Sequence, residues 1–380
     1  MNVIVCAVGL SRYTGAISSV YYALFPSTDE VDIKYYEKVF RNYTFQRFLQ
    51  IYGKGILIKK SGTGKLNTIR MKISPDDLKG ILLPIPPKDE QTQIARFLDR
   101  KTSQINKFIR NKRRIIELLK EQKQAIINQA VTRGLDPNVK LKPSGVEWIG
   151  DIPEQWEVRR LKFLCHNLNE QTSEKQPGET YIALEHVESW TGRISLPDDE
   201  ISFDSQVKRF KPGDVLFGKL RPYLAKVTRP QTAGVCVGEF PVLRATGNVS
   251  ANFLEQKLRS KRVIDLINSS TFGAKMPRAD WTFIGNLKFA YPPADEQQEI
   301  LEHIQEKSAE IDQAISRAQR EIELMRKYRT RLISDVVTGQ VDVRGIEVPE
   351  VAEEELLALY EDVAESDDII DDEEGMDETD

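Results

Sequence analysis

The chain has 380 residues, long enough for two or three domains, and its hydrophobic (40%) and charged (29%) fractions are those of a soluble protein. No apolar run approaches the roughly twenty residues of a membrane span, and no charged segment followed by an apolar core opens the chain. Three scattered cysteines (Cys6, Cys165, Cys236) without CxxC spacing, and only three histidines, argue for a reducing cytoplasm and against a disulfide frame, a zinc site or His-based catalysis.

The net charge of −4 conceals a division. After Arg344 there is no Lys or Arg, and residues 347–380 hold 17 of the 58 acids, so the remainder sets 54 basic against 41 acidic residues, or +13. A basic body suits a polyanionic partner, and the acidic tail from residue 343 on reads as disordered, with a short helix possible near 353–360.

In chain order, Val3 to Val8 and Ala16 to Leu24 read as strands joined by a turn-rich link. Asp32 to Ile51 reads as one amphipathic helix, followed by a basic polar loop from Lys59 to Arg70 and a strand from Leu78 to Ile85. Ser61-Gly62-Thr63-Gly64-Lys65 invites a phosphate-loop reading that fails, because Lys59 stands where its first Gly belongs and Leu66 where Ser or Thr belongs. A basic loop approaching a nucleic-acid backbone and a plain surface loop are the readings left there.

Pro86-Pro87-Lys88-Asp89-Glu90-Gln91 opens a long helix that runs to Thr132, with Asp89 read as its N-cap, and Gly134-Leu135-Asp136-Pro137 stops it. Residues 138–155 read as a polar linker whose Trp148 and Ile149 tack it onto a domain. A second globular unit spans 156–291: strands at 180–184, 215–217, 233–240 and 242–245, a helix from Ala251 to Asn268, a basic loop from Gly273 to Arg278, and a strand from Leu287 to Tyr291. Pro292-Pro293-Ala294-Asp295-Glu296-Gln297 then opens a second long helix, to Thr338.

The two long helices repeat without a gap at an offset of 206 positions. Ile94, Leu98, Ile105, Ile109, Ile116 and Leu119 form an apolar seam in the first, matched by Ile300, Ile304, Ile311, Ile315, Ile322 and Met325 in the second. At 1.5 Å per residue each helix is roughly 65–70 Å long. The steps from Ile105 to Ile109 and from Ile311 to Ile315 make an eleven-residue local repeat with weak supercoiling. A stripe so narrow needs a partner, and the other copy is the nearest one. Separate burial in two globular domains is the alternative.

Pro-Pro-x-Asp-Glu-Gln opening a long helix, twice, resembles the DNA-specificity subunits of Type I restriction–modification systems. So do Ser144 to Val158 (Ser-Gly-Val-Glu-Trp-Ile-Gly-Asp-Ile-Pro-Glu-Gln-Trp-Glu-Val) and Val336 to Arg344 (Val-Val-Thr-Gly-Gln-Val-Asp-Val-Arg), which match the start of a recognition domain and the end of the second helix. The resemblance implies an α+β fold with a pseudo-two-fold internal repeat: two mixed α/β target-recognition domains (1–85 and 156–291) separated by two long antiparallel helices (86–137 and 292–342) forming an intramolecular coiled coil. It implies no catalytic site and no bound metal or cofactor. The expected partners are double-stranded DNA, methyltransferase subunits that use S-adenosylmethionine, and restriction subunits that use ATP and magnesium. A whole member would open with its own Trp-containing segment. Met1 falls where mid-domain sequence is expected, so the first recognition domain is expected to be truncated, and a fragment acting only as a scaffold for the methyltransferase subunit is the alternative.

Reading DNA takes Arg, Lys, Asn and Gln at base edges and basic or hydroxyl groups at phosphates. The candidates are Lys219, Arg221, Tyr223, Lys275 and Arg278 in the second domain, and Arg12, Lys59, Lys60, Lys65 and Arg70 in the first. Arg113, Arg114, Arg320 and Arg326, off the seam, are candidates for subunit contacts. There is no acid pair at usable spacing and no Cys–His arrangement to run a reaction.

Overall fold

The computed structural model describes residues 8–11, 13–18, 21–56, 59–60, 66–67, 70–197, 206–273 and 275–349, with backbone alone from 55 to 71. The chain divides into two compact units, one of residues 1–115 with 316–380 and one of 116–315, and the division falls inside both long helices. No helix among the described residues is long and apolar enough to cross a membrane.

In the first unit, α1 (Ile33–Arg41) and α2 (Tyr43–Ile51) replace the single helix expected from 32 to 51. The apolar period runs through Asn42, but Asn42 is extended at ψ 126° and its side chain accepts from the amides of Thr44 and Phe45, so it caps a new helix rather than continuing the old one. The expected basic loop is a hairpin: β1 (Lys54–Ile56) pairs with β4 (Arg70–Lys72), and β2 (Lys59–Lys60) with β3 (Leu66–Asn67), all antiparallel. The strand expected from Leu78 to Ile85 is also corrected. Ser74 accepts from the Asp77 amide at 3.1 Å and Pro75 follows it, which starts α3 (Pro75–Lys79) instead.

Nor do the described positions between 16 and 24 form a strand. There Tyr22 turns inward to donate to the Ile73 carbonyl at 2.9 Å and packs on the small core of Leu49 and Ile73. The strand expected at Val3 to Val8 lies outside the described residues but for Val8, which is in no strand. The first long helix is α4 (Lys88–Arg133).

In the second unit the expected polar linker is a hairpin of β5 (Leu141–Pro143) and β6 (Asp151–Pro153), with Ile152 fully buried and Trp148 edge-on to Phe289. There follow β7 (Glu157–Arg160), β8 (Cys165–Leu168), β9 (Gln171–Thr172), β10 (Thr180–Ile182), β11 (Val207–Phe210), β12 (Val215–Phe217), β13 (Val227–Thr228), β14 (Gly234–Val237) and β15 (Val242–Ala245). One sheet runs β13-β12-β15-β8, wholly antiparallel. The other runs β10-β14-β11-β9, with β10 and β14 parallel. All three residues of β12 are buried because its sheet is covered on both faces: Val215 and Phe217 join one core, and Leu216 joins another with Phe210 and Cys236.

The helix expected from 251 to 268 is again two, α5 (Ala251–Arg259) and α6 (Lys261–Ser269), broken where Ser260 is extended at ψ 141°. Then come α7 (Trp281–Asn286), β16 (Lys288–Tyr291) paired with β7, and the second long helix α8 (Ala294–Val337).

The order strand, helix, basic loop, final strand before Pro-Pro repeats in sequence in both units, and the helix pairs set the register of that repeat. Adding 218 to the bounds of α1 and α2 gives those of α5 and α6. Glu37 and Arg41 form an ion pair at 3.3 Å, and Glu255 and Arg259, each 218 positions on, form one at 2.9 Å. The two offsets differ because 35 positions separate Ile51 from Pro86 but only 23 separate Ser269 from Pro292. The hairpin of β1 to β4 occupies the longer interval. Residues 82–85 stand where β16 stands in the second unit, yet form no strand: Pro84 has no N–H to offer, and Leu82 is 96% exposed.

The long helices run antiparallel inside each unit. In the first, Arg329 donates to Asn106 at 2.8 Å and Lys112 meets Glu321 at 2.6 Å, so positions rise along α4 as they fall along α8. In the second, Lys123 meets Asp312 at 2.8 Å. Ile94, Leu98, Ile105, Ile109 and Ile116 are buried, as are Ile300, Ile304, Ile311 and Ile322, whereas Leu119, Ile315 and Met325 are half-exposed. Neither Asp89 nor Asp295 is the cap. Each lies in the first turn, and the carbonyls of Pro87 and Pro293 already accept from the amides of Gln91 and Gln297. The carboxylates act on the helix dipole instead.

Candidate nucleic-acid interface

The basic candidates of the second unit come from two segments far apart in sequence. The first leaves the buried strand β12 at Gly218 and runs through Lys219 to Ala225 before β13. It is held in a costly backbone: Arg221 (φ 49°) and Ala225 (φ 48°) are both left-handed, and the Trp190 amide (φ 64°) reaches in to the Leu224 carbonyl at 3.2 Å. Each non-glycine residue so placed costs roughly 1–3 kcal/mol and persists because its surroundings over-determine it, a pattern that clusters at ligand sites.

The second segment is the loop from Phe272 to Arg278. Gly273 at φ +91° makes its turn, and Phe272 and Arg278 exchange backbone hydrogen bonds of 3.2 and 3.0 Å. The segments are laced together. The Arg221 amide donates to the Pro277 carbonyl at 2.8 Å, and the Ala279 amide to the Lys219 carbonyl at 2.9 Å. Lys219, Arg221, Tyr223, Lys275 and Arg278 therefore share one lip on a rigid sheet.

Arg221, Tyr223 and Lys275 are exposed, while Lys219 and Arg278 are half-buried. Glu239, in the turn between β14 and β15, lies 3.0 Å from Arg278 Nη2 and 3.8 Å from Lys219 Nζ. Its backbone carbonyl accepts from the Lys219 amide at 3.1 Å. Lys208 adds a third cation, its Nζ donating to the Phe240 carbonyl at 3.2 Å, and burial and then the charge of Lys219 hold its pKa below the usual lysine range. Lys226, donating to Leu184, is likewise lowered by burial. Even with Glu185 beside Lys226, cations outnumber carboxylates among these described residues, so the lip is electropositive. Glu239 and Lys208 carry no sequence signal of their own, because only the fold brings them beside residues 219 and 278.

In the first unit Lys59 and Lys60 lie on β2 opposite Asn67 and Leu66, and Arg70 lies on β4 opposite Ile56. Arg12 and Lys65 lie outside the described residues, as does the acidic tail from residue 350 on. Arg114, Arg320 and Arg326 are exposed on the long helices and Arg113 is half-buried.

No family model matches the chain. It is 24% identical over 286 residues to the Type I restriction enzyme EcoDI specificity subunit of Escherichia coli, a match covering 70% of this chain and 63% of that protein. Over 293 residues it is 24% identical to the Type I restriction enzyme MjaVIII specificity subunit of Methanocaldococcus jannaschii, covering 70% of this chain and 64% of that one. The chain thus spans less than two thirds of the length of these relatives. Among solved structures, a chain from a study of complex assembly and conformational transition in the type I R-M system superposes with a TM-score of 0.57 at 14% identity, covering 81% of this chain and 71% of that one. That likeness is one of fold.

Proposed function

We propose that this chain is the DNA-specificity subunit of a Type I restriction–modification complex. Its second unit reads one half of a bipartite DNA target with the lip formed by residues 219–225 and 272–278, and its first unit reads the other half with the β1 to β4 hairpin. Catalysis belongs to the partners: methyltransferase subunits carrying S-adenosylmethionine, and restriction subunits using ATP and magnesium.

The observation that carries this reading is the lip itself. In a protein similar in sequence to Type I specificity subunits, five residues of the kinds that contact phosphates and base edges meet on one strained, electropositive ridge. The repeated frame supports it further, since a pseudo-symmetric protein suits a target in two halves.

Sequencing of methylated bases in the source cell, with and without this gene, tests the reading. A motif of two short halves separated by a fixed gap, lost on deletion of the gene and restored by the intact gene, is the expected result. Retention of every methylated motif in the deletion strain removes the proposal.

A further inference from the structure

Glu239 is out of place on a surface that only binds phosphate. A carboxylate beneath the lip lowers its potential and repels a phosphodiester. It does, however, fix a guanidinium. Arg278 is held at its backbone by Phe272 and Leu220, and its Nη2 donates to Glu239 Oε1 at 3.0 Å. Arg278 Nε is shielded and has no hydrogen-bond partner among the described residues, and no hydrogen bond there engages Nη1. The side chain is nonetheless 43% exposed. The guanidinium is thus oriented by one N–H of Nη2 while the second N–H of Nη2 and both of Nη1 remain to donate, with the rotamer freedom that an exposed arginine loses on binding already surrendered.

A forked donor suits two adjacent acceptors. Guanine offers O6 and N7 on one edge of the major groove, whereas adenine offers one acceptor and one donor, and the fork does not fit it. Resting on the DNA-reading role above, we propose that Glu239 is a positioning residue that aims Arg278 at a guanine in the half-target read by the second unit. Lys219 Nζ, 3.8 Å from the other carboxylate oxygen, balances the charge of Glu239 without a hydrogen bond to it.

The test is selection of a randomised duplex pool by the full chain assembled with its partner subunits, comparing the wild type, E239Q, E239D and R278K. The wild type is expected to enrich a target containing a guanine whose replacement weakens binding on the order of ten-fold or more. R278K and E239Q are each expected to lose preference at that one position and keep the others, and E239D to restore it. E239Q, having lost a negative charge, binds a non-cognate duplex more tightly, which mere unfolding of the lip would not produce. Unchanged preference in E239Q and R278K, loss at all positions together, or weaker non-cognate binding by E239Q overturns the proposal. A wild type that enriches no sequence overturns the DNA-reading role along with it.

Discussion

The side-chain amide of Gln297 is bonded to the start of α5: its Oε1 accepts from the Ser250 amide at 2.8 Å, while its Nε2 donates to the carbonyls of Asn248 and Pro292 at 3.0 Å each. Gln91, 206 positions earlier, does the same for α1, accepting from Asp32 at 2.8 Å and donating to Glu30 and Pro86. Both glutamines are buried. The last residue of Pro-Pro-x-Asp-Glu-Gln therefore clamps the N-cap of the helix pair in each unit.

Truncating either glutamine leaves an amide and two carbonyls without partners, at about 1–3 kcal/mol for the first such group. Gln297→Glu keeps the shape and cannot donate, so it is expected to destabilise at least as much as Gln297→Ala. Chemical denaturation measures both. Two variants as stable as the wild type would show that water satisfies these groups.

The seam yields a ranking rather than a single value. Ile300 is fully buried and joins the core of the second unit, whereas Ile315 is half-exposed. Ile300→Ala is expected to cost about 2–5 kcal/mol and Ile315→Ala clearly less. Equal losses in urea unfolding would mean that Ile315 is covered in solution.

The long helices are legible in the amino-acid sequence because a period near 3.6 persists over more than forty residues. So are β12 and β15, which match Val215–Phe217 and Val242–Ala245 because buried strands are apolar runs. The breaks at Asn42 and Ser260 are not, since an apolar stripe continues across a residue that caps better than it propagates. The repeat of the two units is legible in their order of strand, helix, basic loop and strand, but the register of the helix pairs is hidden by the different lengths of the segments that follow them. Lys219, Arg221, Tyr223, Lys275 and Arg278 can be chosen by type. That they lie on one lip, with Glu239 beneath, depends on hydrogen bonds between segments twenty to sixty positions apart.

On that lip, Arg221 separates charge from backbone strain. Arg221→Gly removes the cation and also the penalty of a left-handed φ, so stability is expected to hold or rise by about 1 kcal/mol while DNA affinity falls. Lys275→Ala leaves the backbone alone. If it contacts phosphate, affinity falls alike on all sequences, and the slope of log K against log salt becomes shallower by about 1. Titrations at several salt concentrations, with the methyltransferase present, measure both variants. An unchanged slope in Lys275→Ala removes that residue from the phosphate contacts.

Lys257 makes stability depend on pH. It is buried, its Nζ donates to the Val131 carbonyl near the end of α4, and it lies 5.6 Å from the centre of the Trp156 ring. Burial, and then the charge of Arg262, push its pKa down to about 7 from the ordinary 10.5. Between those values the unfolded chain binds the proton that the folded one releases, so this group makes stability rise with pH from about 7 towards 10.5 and costs most below 7. Cys165 and Cys236 oppose it above pH 9, because burial raises both thiols to about 12 and the unfolded chain ionises first. The informative window is therefore pH 7 to 8.5. Lys257→Met fills the same space without a titrating group and is expected to flatten the slope there. Urea unfolding of both proteins across that window decides it: parallel curves would mean that Lys257 stays charged in the folded state.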